Sequence, residues 1–511
     1  MIYRLLLAVL ICGGFGMTEA TAQNEDVRYD QNWYFGYSGH SGHSAFGLNW
    51  LGFAGGAPVL DSVDNSFFES YSTNIAISDA DGNTAFMSNG CYIVDASHQL
   101  MQGGDTISPS QYTTDNYFIG HFIPQGVLAL PHPGDDDKWD VIHNYAQYGG
   151  ATGVTAPKLF HSTIDMSLNG GLGAVTSANQ VVLEGDLDVN KTACRHANGR
   201  DWWILMLEGH SDRYYRLLLD PQGLHVVDTA YMTDSIKAGL GQAVFSPDGS
   251  KFVVYNSISS SEGTFLNIFD FDRVTGELSN QVTIHDTIEE HTGGAGAAIS
   301  PNSRYLYISS SIVVYQYDLW ADDIEASRVI VGEYDNFVTE FGFGTRFYTS
   351  QLGPDGKIYI TCPAATRFLH VIHEPDSAGL ACNLELRGQP LYFMAQSMPN
   401  HPHYRLGRLV GSVADTVYNT TAVVPVVEEE VLVRVFPNPT RGQVTISMTV
   451  APVAAAQLQL YDLTGRLLLE QPLAGIDMTV DLPRQLASGT YIVRIASRNR
   501  VLHTQKLVLL E

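Results

Sequence analysis

The sequence predicts an all-β protein: a seven-bladed β-propeller followed by a small immunoglobulin-like β-sandwich. Three observations predict it. A strand–turn–strand phrase recurs at steps of about 50–65 residues, the span of a four-stranded blade with its loops. Glycine is abundant at 48 of 511 residues, aromatic residues make up 11%, and long amphipathic helical patterns are absent. The last stretch, about 80 residues, shifts in composition and alternates apolar and polar residues in short runs.

The chain opens with an expected signal peptide, residues 1–22. Arg4 is the positive flank, Leu5 to Ile11 the short apolar core, and Ala20-Thr21-Ala22 a small-x-small cleavage site. Cleavage is expected between Ala22 and Gln23. Cys12 raises lipidation as an alternative, but Ile11 fits poorly before a lipidated cysteine. No later segment has the run of about 20 apolar residues that a membrane helix needs.

Residues 23–411 form the expected propeller domain. Its clearest repeat is Ala243-Val244-Phe245-Ser246-Pro247-Asp248-Gly249-Ser250-Lys251-Phe252-Val253-Val254-Tyr255. Pro247 presets φ at the turn, and Gly249 can take the positive φ that such turns often need. The flanking runs are apolar at nearly every residue, as expected of a sheet stacked between two others. Copies follow at Ile299 to Ile308 and at Leu352 to Ile360, with steps of about 53 residues. Weaker copies stand upstream around Asp79-Ala80-Asp81-Gly82-Asn83, around Pro133 to Asp137, and around Asn198-Gly199-Arg200-Asp201. These make six anchors, and a seventh step falls near Tyr404. The opening Asn32-Trp33-Tyr34-Phe35-Gly36 is expected to complete that last blade from the other end of the chain, hiding the final sheet edges.

Charge divides the chain. The whole carries −26, which disfavours nucleic acid and anionic membrane surfaces as partners. Residues 431–511 hold 8 Lys and Arg against 5 Asp and Glu, a net of +3, so the part before them carries −29. Residues 412–430, with Asn419-Thr420-Thr421 and Glu428-Glu429-Glu430, are expected to be a linker. Residues 431–511 are the expected β-sandwich.

The terminal segment has specific phrases: Phe436-Pro437-Asn438-Pro439 with Gly442, Tyr461-Asp462-Leu463-Thr464-Gly465-Arg466, Gly489-Thr490-Tyr491-Ile492-Val493-Arg494, and Lys506-Leu507. In order and spacing they resemble the type A C-terminal sorting domain of the type IX secretion system of Bacteroidetes. The resemblance implies an immunoglobulin-like sandwich and the type IX machinery as partner. It also implies passage through the outer membrane to the cell surface or medium, commonly followed by removal of the domain. Pro437, Asn438, Pro439, Gly442, Tyr461, Asp462, Gly465, Arg466, Gly489, Tyr491 and Lys506 are the positions that carry it. The larger domain, about residues 30–410, more loosely resembles exported Bacteroidetes propeller proteins through phrases such as Asn32 to Gly36, Gly353 to Tyr359, Pro375 to Asn383 and Pro399 to Gly407. It is more distantly similar to WD-repeat-like and lactonase-like propellers. That group implies no activity residue by residue.

Motifs that could carry chemistry are incomplete. Asp79, Asp81 and Asn83 mimic the start of a calcium loop, but Thr84 and Gly90 stand where glycine and a bidentate carboxylate are needed; a hairpin turn is favoured. Asp135-Asp136-Asp137 is favoured as a solvated loop tip over a cation site. His40 and His43 are favoured as polar loop residues, since further metal ligands are missing. His370 and His373 fall on opposite faces of one expected strand. No nucleophile elbow or phosphate-binding loop is present. Most Tyr and Trp are expected to pack between blades rather than stack on sugars. Cys91, Cys194, Cys362 and Cys382 include no C-x-x-C pair; Cys362 and Cys382 are nearest, and a bridge between them stays open. The sequence therefore assigns no catalytic, metal or cofactor-binding residue and no cofactor. It favours a secreted or surface propeller that binds a glycan or protein. The alternative is a lactonase- or glycosidase-like hydrolase with its active site in the central channel.

Overall fold

A computed structural model describes residues 21–23, 27–37, 43–149, 153–259, 261–291, 293–294, 296–364, 366–412, 433–448, 456–463, 465–473, 477–497 and 500–510. The apolar core of the expected signal peptide, His40, and most of the expected linker lie outside these residues. The chain divides into two compact units, residues 1–419 and 420–511.

The first unit is a propeller. Seven antiparallel sheets follow one another among its described residues, starting at Asn32–Tyr37, Ile75–Ser78, Val127–Pro131, Ala193–Arg195, Leu240–Phe245, Gly296–Ile299 and Ser350–Leu352. The first two have three strands and the others four, each paired in simple sequence order. The opening strand of each sheet lies inside, and in every sheet but the second, whose closing strand Ile93–Asp95 is buried, the closing strand is the most exposed. Leu240–Phe245 and Lys251–Ser259 are almost wholly buried, whereas Gly223–Tyr231 is largely exposed.

The sheets pack face to face around a ring. Tyr34 and Leu48 of the first sheet meet Ala76 and Met87 of the second. A larger core joins the second, third and fourth through Phe86, Trp139 and Trp202. Further cores join the fourth to the fifth (Trp203, Phe245), the fifth to the sixth (Tyr255, Ile299), and the sixth to the seventh (Tyr307, Ile360). Trp33, Phe35 and Phe53 then pack on Tyr359, Leu369 and Val371, so the first sheet closes on the seventh. Each such side chain contributes about 1.5–3 kcal/mol on burial. Asn49, fully buried, pins this closure: its amide donates to the Phe35 and Phe393 carbonyls and accepts from the Tyr392 and Phe393 amides.

All six repeat phrases form the hairpin between the first and second strands of a sheet. In the clearest, Ser246 Oγ donates to Asp248 Oδ1 at 2.6 Å and accepts from Lys251 N. Gly249 has φ +74°, and a Cβ there would lie 2.8 Å from Cys194 Sγ, so only glycine fits. Neighbouring turns are tied, as Asp248 N donates to Ser303 Oγ at 3.0 Å.

Closure differs from the expectation in form. Asn32–Tyr37 opens the first sheet and completes no other; the seventh sheet has four strands of its own, ending at Leu384–Ala395. Pro399 and Pro402 deprive the following segment of amide donors, so it cannot extend a ladder. It instead crosses the middle of the ring. Leu406–Leu409 then pairs with Thr21–Gln23, the strand that holds the expected Ala22–Gln23 cleavage junction. Cys91, Cys194, Cys362 and Cys382 are all buried and free, so Cys362 and Cys382 are not bridged.

The second unit is a two-sheet sandwich. Val433–Phe436, Gln443–Met448 and Asp477–Asp481 form one sheet; Leu467–Leu473, Ala456–Tyr461, Gly489–Ser497 and Arg500–Leu509 form the other. Val444, Ile446 and Val480 meet Leu458, Leu460, Val493 and Leu507 in one core.

Candidate ligand-binding mouth of the propeller

The ring has two unlike ends. The repeat turns, such as Pro247 and Gly353, lie at one. The segments leading into the inner strands meet at the other, here called the mouth. Between them, residues 396–405 run through the channel as a strap. Its hydrogen bonds reach most of the ring. Asn400 N donates to the Asn74 carbonyl at 2.9 Å, and Asn400 Nδ2 donates to the Val127 and Lys191 carbonyls. Asn400 Oδ1 accepts from Gln125 Nε2, whose oxygen in turn accepts from Ala243 N. His401 Nε2 donates to the Ala76 carbonyl at 2.7 Å and Tyr404 Oη to the Ala129 carbonyl at 2.8 Å. Arg405 holds Asp30 through two bonds of 2.6 and 2.7 Å. Gln242 ties the Ala297 and Ser350 amides in the same way.

The channel is thus filled by the chain itself. The space left beside Asp30, His401, His403 and Arg405 is about 70 Å³. That is room for a few water molecules and too little for a sugar-sized ligand. Burial holds His401 below the usual histidine range and His403 down at about 4, so both are neutral.

The mouth is the better-formed site. A cavity of about 200 Å³ is lined by Tyr71, Phe122, Ile123, Leu240, Tyr348 and Gln396, among others. These come from segments far apart in the chain and are brought together only by ring closure. Tyr71 packs edge-on against Tyr37 at 5.1 Å and against Phe122 at 4.9 Å between centroids. Phe122 remains 37% exposed, leaving part of its ring to solvent. Burial raises the phenol pKa of Tyr71 and Tyr348 and pushes Tyr37 up to about 12, so all three stay protonated donors at neutral pH. Gln396 faces the Tyr71 hydroxyl, while its Oε1 is buried without a partner. Among the described lining residues, none is charged or titrates near neutrality.

The other sequence candidates fall elsewhere. Asp79 Oδ1 accepts from the amides of Asp81 and Asn83, at 3.0 and 2.8 Å, and the group is a hairpin turn. Asp135 pairs with Lys138 at a loop tip. His43 Nδ1 accepts from Ala45 N. His370 is buried and His373 pairs with Glu385, in keeping with opposite faces. Cys362 Sγ lies 3.6 Å from His370 Nε2, a pair the sequence did not reveal. Burial pushes the thiol up to about 12 and the imidazole down to about 4, which leaves both neutral and the thiol unreactive. Among the described residues no group of three or more His, Cys, Asp or Glu is placed to hold a metal.

In the terminal unit the phrase residues make the turns. Asn438 Nδ2 donates to the Lys506 carbonyl at 2.6 Å and its Oδ1 accepts from Val508 N at 2.9 Å, which pins the first turn to the last strand. Gly465, at φ +86°, completes a turn in which Asp462 Oδ1 accepts from Arg466 N. Tyr491 Oη donates to the Ala487 carbonyl, and Gly442 O accepts from Leu482 N. Pro437 and Pro439 flank Asn438, Tyr461 ends one strand, and Gly489 opens another.

Residues 434–510 match the family model described as the secretion system C-terminal sorting domain. The terminal unit is a sorting domain. It directs the chain through the type IX system to the cell surface or extracellular space. No helix among the described residues is long and apolar enough to cross a membrane. No curated protein matches the chain. Among solved structures, a putative 6-phosphogluconolactonase from Bacteroides uniformis is 14% identical, with 72% of this chain and 98% of that one covered and a TM-score of 0.44. A quinonprotein alcohol dehydrogenase-like protein from Bacteroides thetaiotaomicron is 11% identical, with 73% and 77% covered and a TM-score of 0.33.

Proposed function

We propose that the propeller is a secreted or surface-attached binding module, whose ligand seats at the mouth without being turned over. The observation that carries this is the lining of the mouth: aromatic, hydroxyl-bearing and uncharged among the described residues. Glycoside hydrolysis commonly needs two carboxylates, and acyl or lactone hydrolysis a base beside its nucleophile. The mouth supplies neither among those residues. The acid and imidazoles that line the channel, Asp30, His401 and His403, stand around a space of water size, with Asp30 and His401 buried. The sorting domain fits this reading, because it delivers the propeller to where glycans and surface proteins are available.

The test uses the mature chain from Gln23. It is screened on glycan and protein arrays and assayed against lactone, glycoside and ester substrates. Saturable binding without turnover, weakened by Tyr71→Ala and by Phe122→Ala, is the expected result. Turnover abolished by changing a single carboxylate or histidine at the channel overturns it.

A further inference from the structure

We infer that the mouth receives one ring of a neutral saccharide, the terminal sugar of an uncharged glycan. This rests on the binding reading above and narrows it. Three features support it. The first is size: about 200 Å³ accommodates a single ring, not an extended chain. The second is the pairing of surfaces. Phe122 and Tyr71 offer apolar ring surface for the C–H face of a sugar. The Tyr71 and Tyr348 phenols are protonated donors, and the Tyr348 hydroxyl has no partner among the described residues. Gln396 Oε1, on the floor, is an acceptor still unsatisfied. A sugar hydroxyl both donates and accepts, so it can answer each of these groups, whereas a hydrocarbon would leave them unpaired.

The third feature is charge. A uronic or sialic acid would bring a carboxylate into a lining with no cation among its described residues. Burying that carboxylate unpaired is costly, and the acidic propeller adds repulsion. A peptide strand, the other common guest, docks along an open sheet edge or groove. Here the inner strands of the second and third sheets are already bonded to the strap, and Gln125 and Gln242 occupy inner-edge amides of the fifth, sixth and seventh.

The experiment is calorimetric titration of the mature chain. The probes are methyl glycosides of neutral hexoses and N-acetylhexosamines, their short oligomers, and the matching uronic acids. The variants are Tyr71→Ala, Tyr348→Phe and Gln396→Ala, with Asp272→Asn at the opposite end as control. Tyr348→Phe keeps the ring and so tests the hydroxyl without a cavity; circular dichroism verifies folding. We expect at least one neutral glycoside to saturate, each mouth variant to weaken it about tenfold or more, the control to leave it unchanged, and the uronic acid to bind about tenfold more weakly or worse. No saturation by any neutral sugar, or saturation that the mouth variants do not alter, overturns the inference. A protein ligand lost on Tyr71→Ala, with no sugar bound, overturns it while leaving the binding reading standing. Turnover of the sugar overturns both.

Discussion

Replacing Asn400 with alanine should be among the most damaging single changes to the propeller. Its amide makes three side-chain bonds inside the channel: to Val127 O at 3.0 Å, to Lys191 O at 3.2 Å, and from Gln125 Nε2 at 3.0 Å. Asn400 is 5% exposed, so water cannot readily replace them. A buried hydrogen bond contributes about 1 kcal/mol net, and a buried group left without a partner costs about 1–3 kcal/mol. Gln125 Nε2 keeps its bond to Ala243 O, which limits the damage on that side. The expected loss is about 3–4 kcal/mol. Urea unfolding followed by tryptophan fluorescence reads it directly, because Trp33 and Trp202 are buried in the ring. The comparison is Asn280→Gly, which removes one exposed bond to Asp270 while tolerating the φ of +50° at that position, and should cost under about 1 kcal/mol. A loss at Asn400 no larger than at Asn280 would refute the reasoning that the strap holds the ring together.

Acid should also loosen the propeller. Burial keeps His403 and His370 near 4 and His121 near 3, so below about pH 6.5 the unfolded chain binds protons that the folded chain refuses; each then removes about 2 kcal/mol between pH 7 and 5. Asp188, raised to about 6 by burial, acts in the opposite sense by about 1 kcal/mol, and urea titrations at pH 7 and 5 should show the histidines winning. Deleting residues 431–511 should leave the propeller in the periplasm; normal levels outside the cell, measured by fractionation, would contradict the role of the sorting domain. Asn438→Ala should lower the stability of the sorting domain by about 1 kcal/mol, seen as a lower melting midpoint for that unit, because two bonds to the last strand are lost at an exposed turn.

The repeating hairpins were legible in the sequence because a buried strand, a Pro- and Gly-bearing turn and a second buried strand are local. The first sheet is not legible as a sheet of its own, because the sequence between Tyr37 and Gly47, where its first two strands end and begin, lacks the Pro-Asp-Gly phrase. Residues 398–405 read as the end of a blade because they fall one repeat step beyond Leu352 to Ile360, yet their hydrogen-bond partners lie hundreds of positions away. The sorting phrases were legible for the same local reason as the hairpins. The mouth was not, since Tyr71, Phe122, Tyr348 and Gln396 share no spacing and meet only through ring closure. The one available hint was an aromatic residue standing just ahead of several inner strands.

The strap also sets an order in time. Asn400 bonds to groups 273 and 209 residues earlier in the chain. Contacts of such separation are slow to form, because the loop between them must close first. The ring therefore cannot lock until nearly the whole propeller has emerged. In this chain the lock is made last, immediately before the segment that carries the address for export. A propeller cut short ahead of Met398 would lack its lock and its address together, so an unfinished ring carries no tag with which to leave the cell.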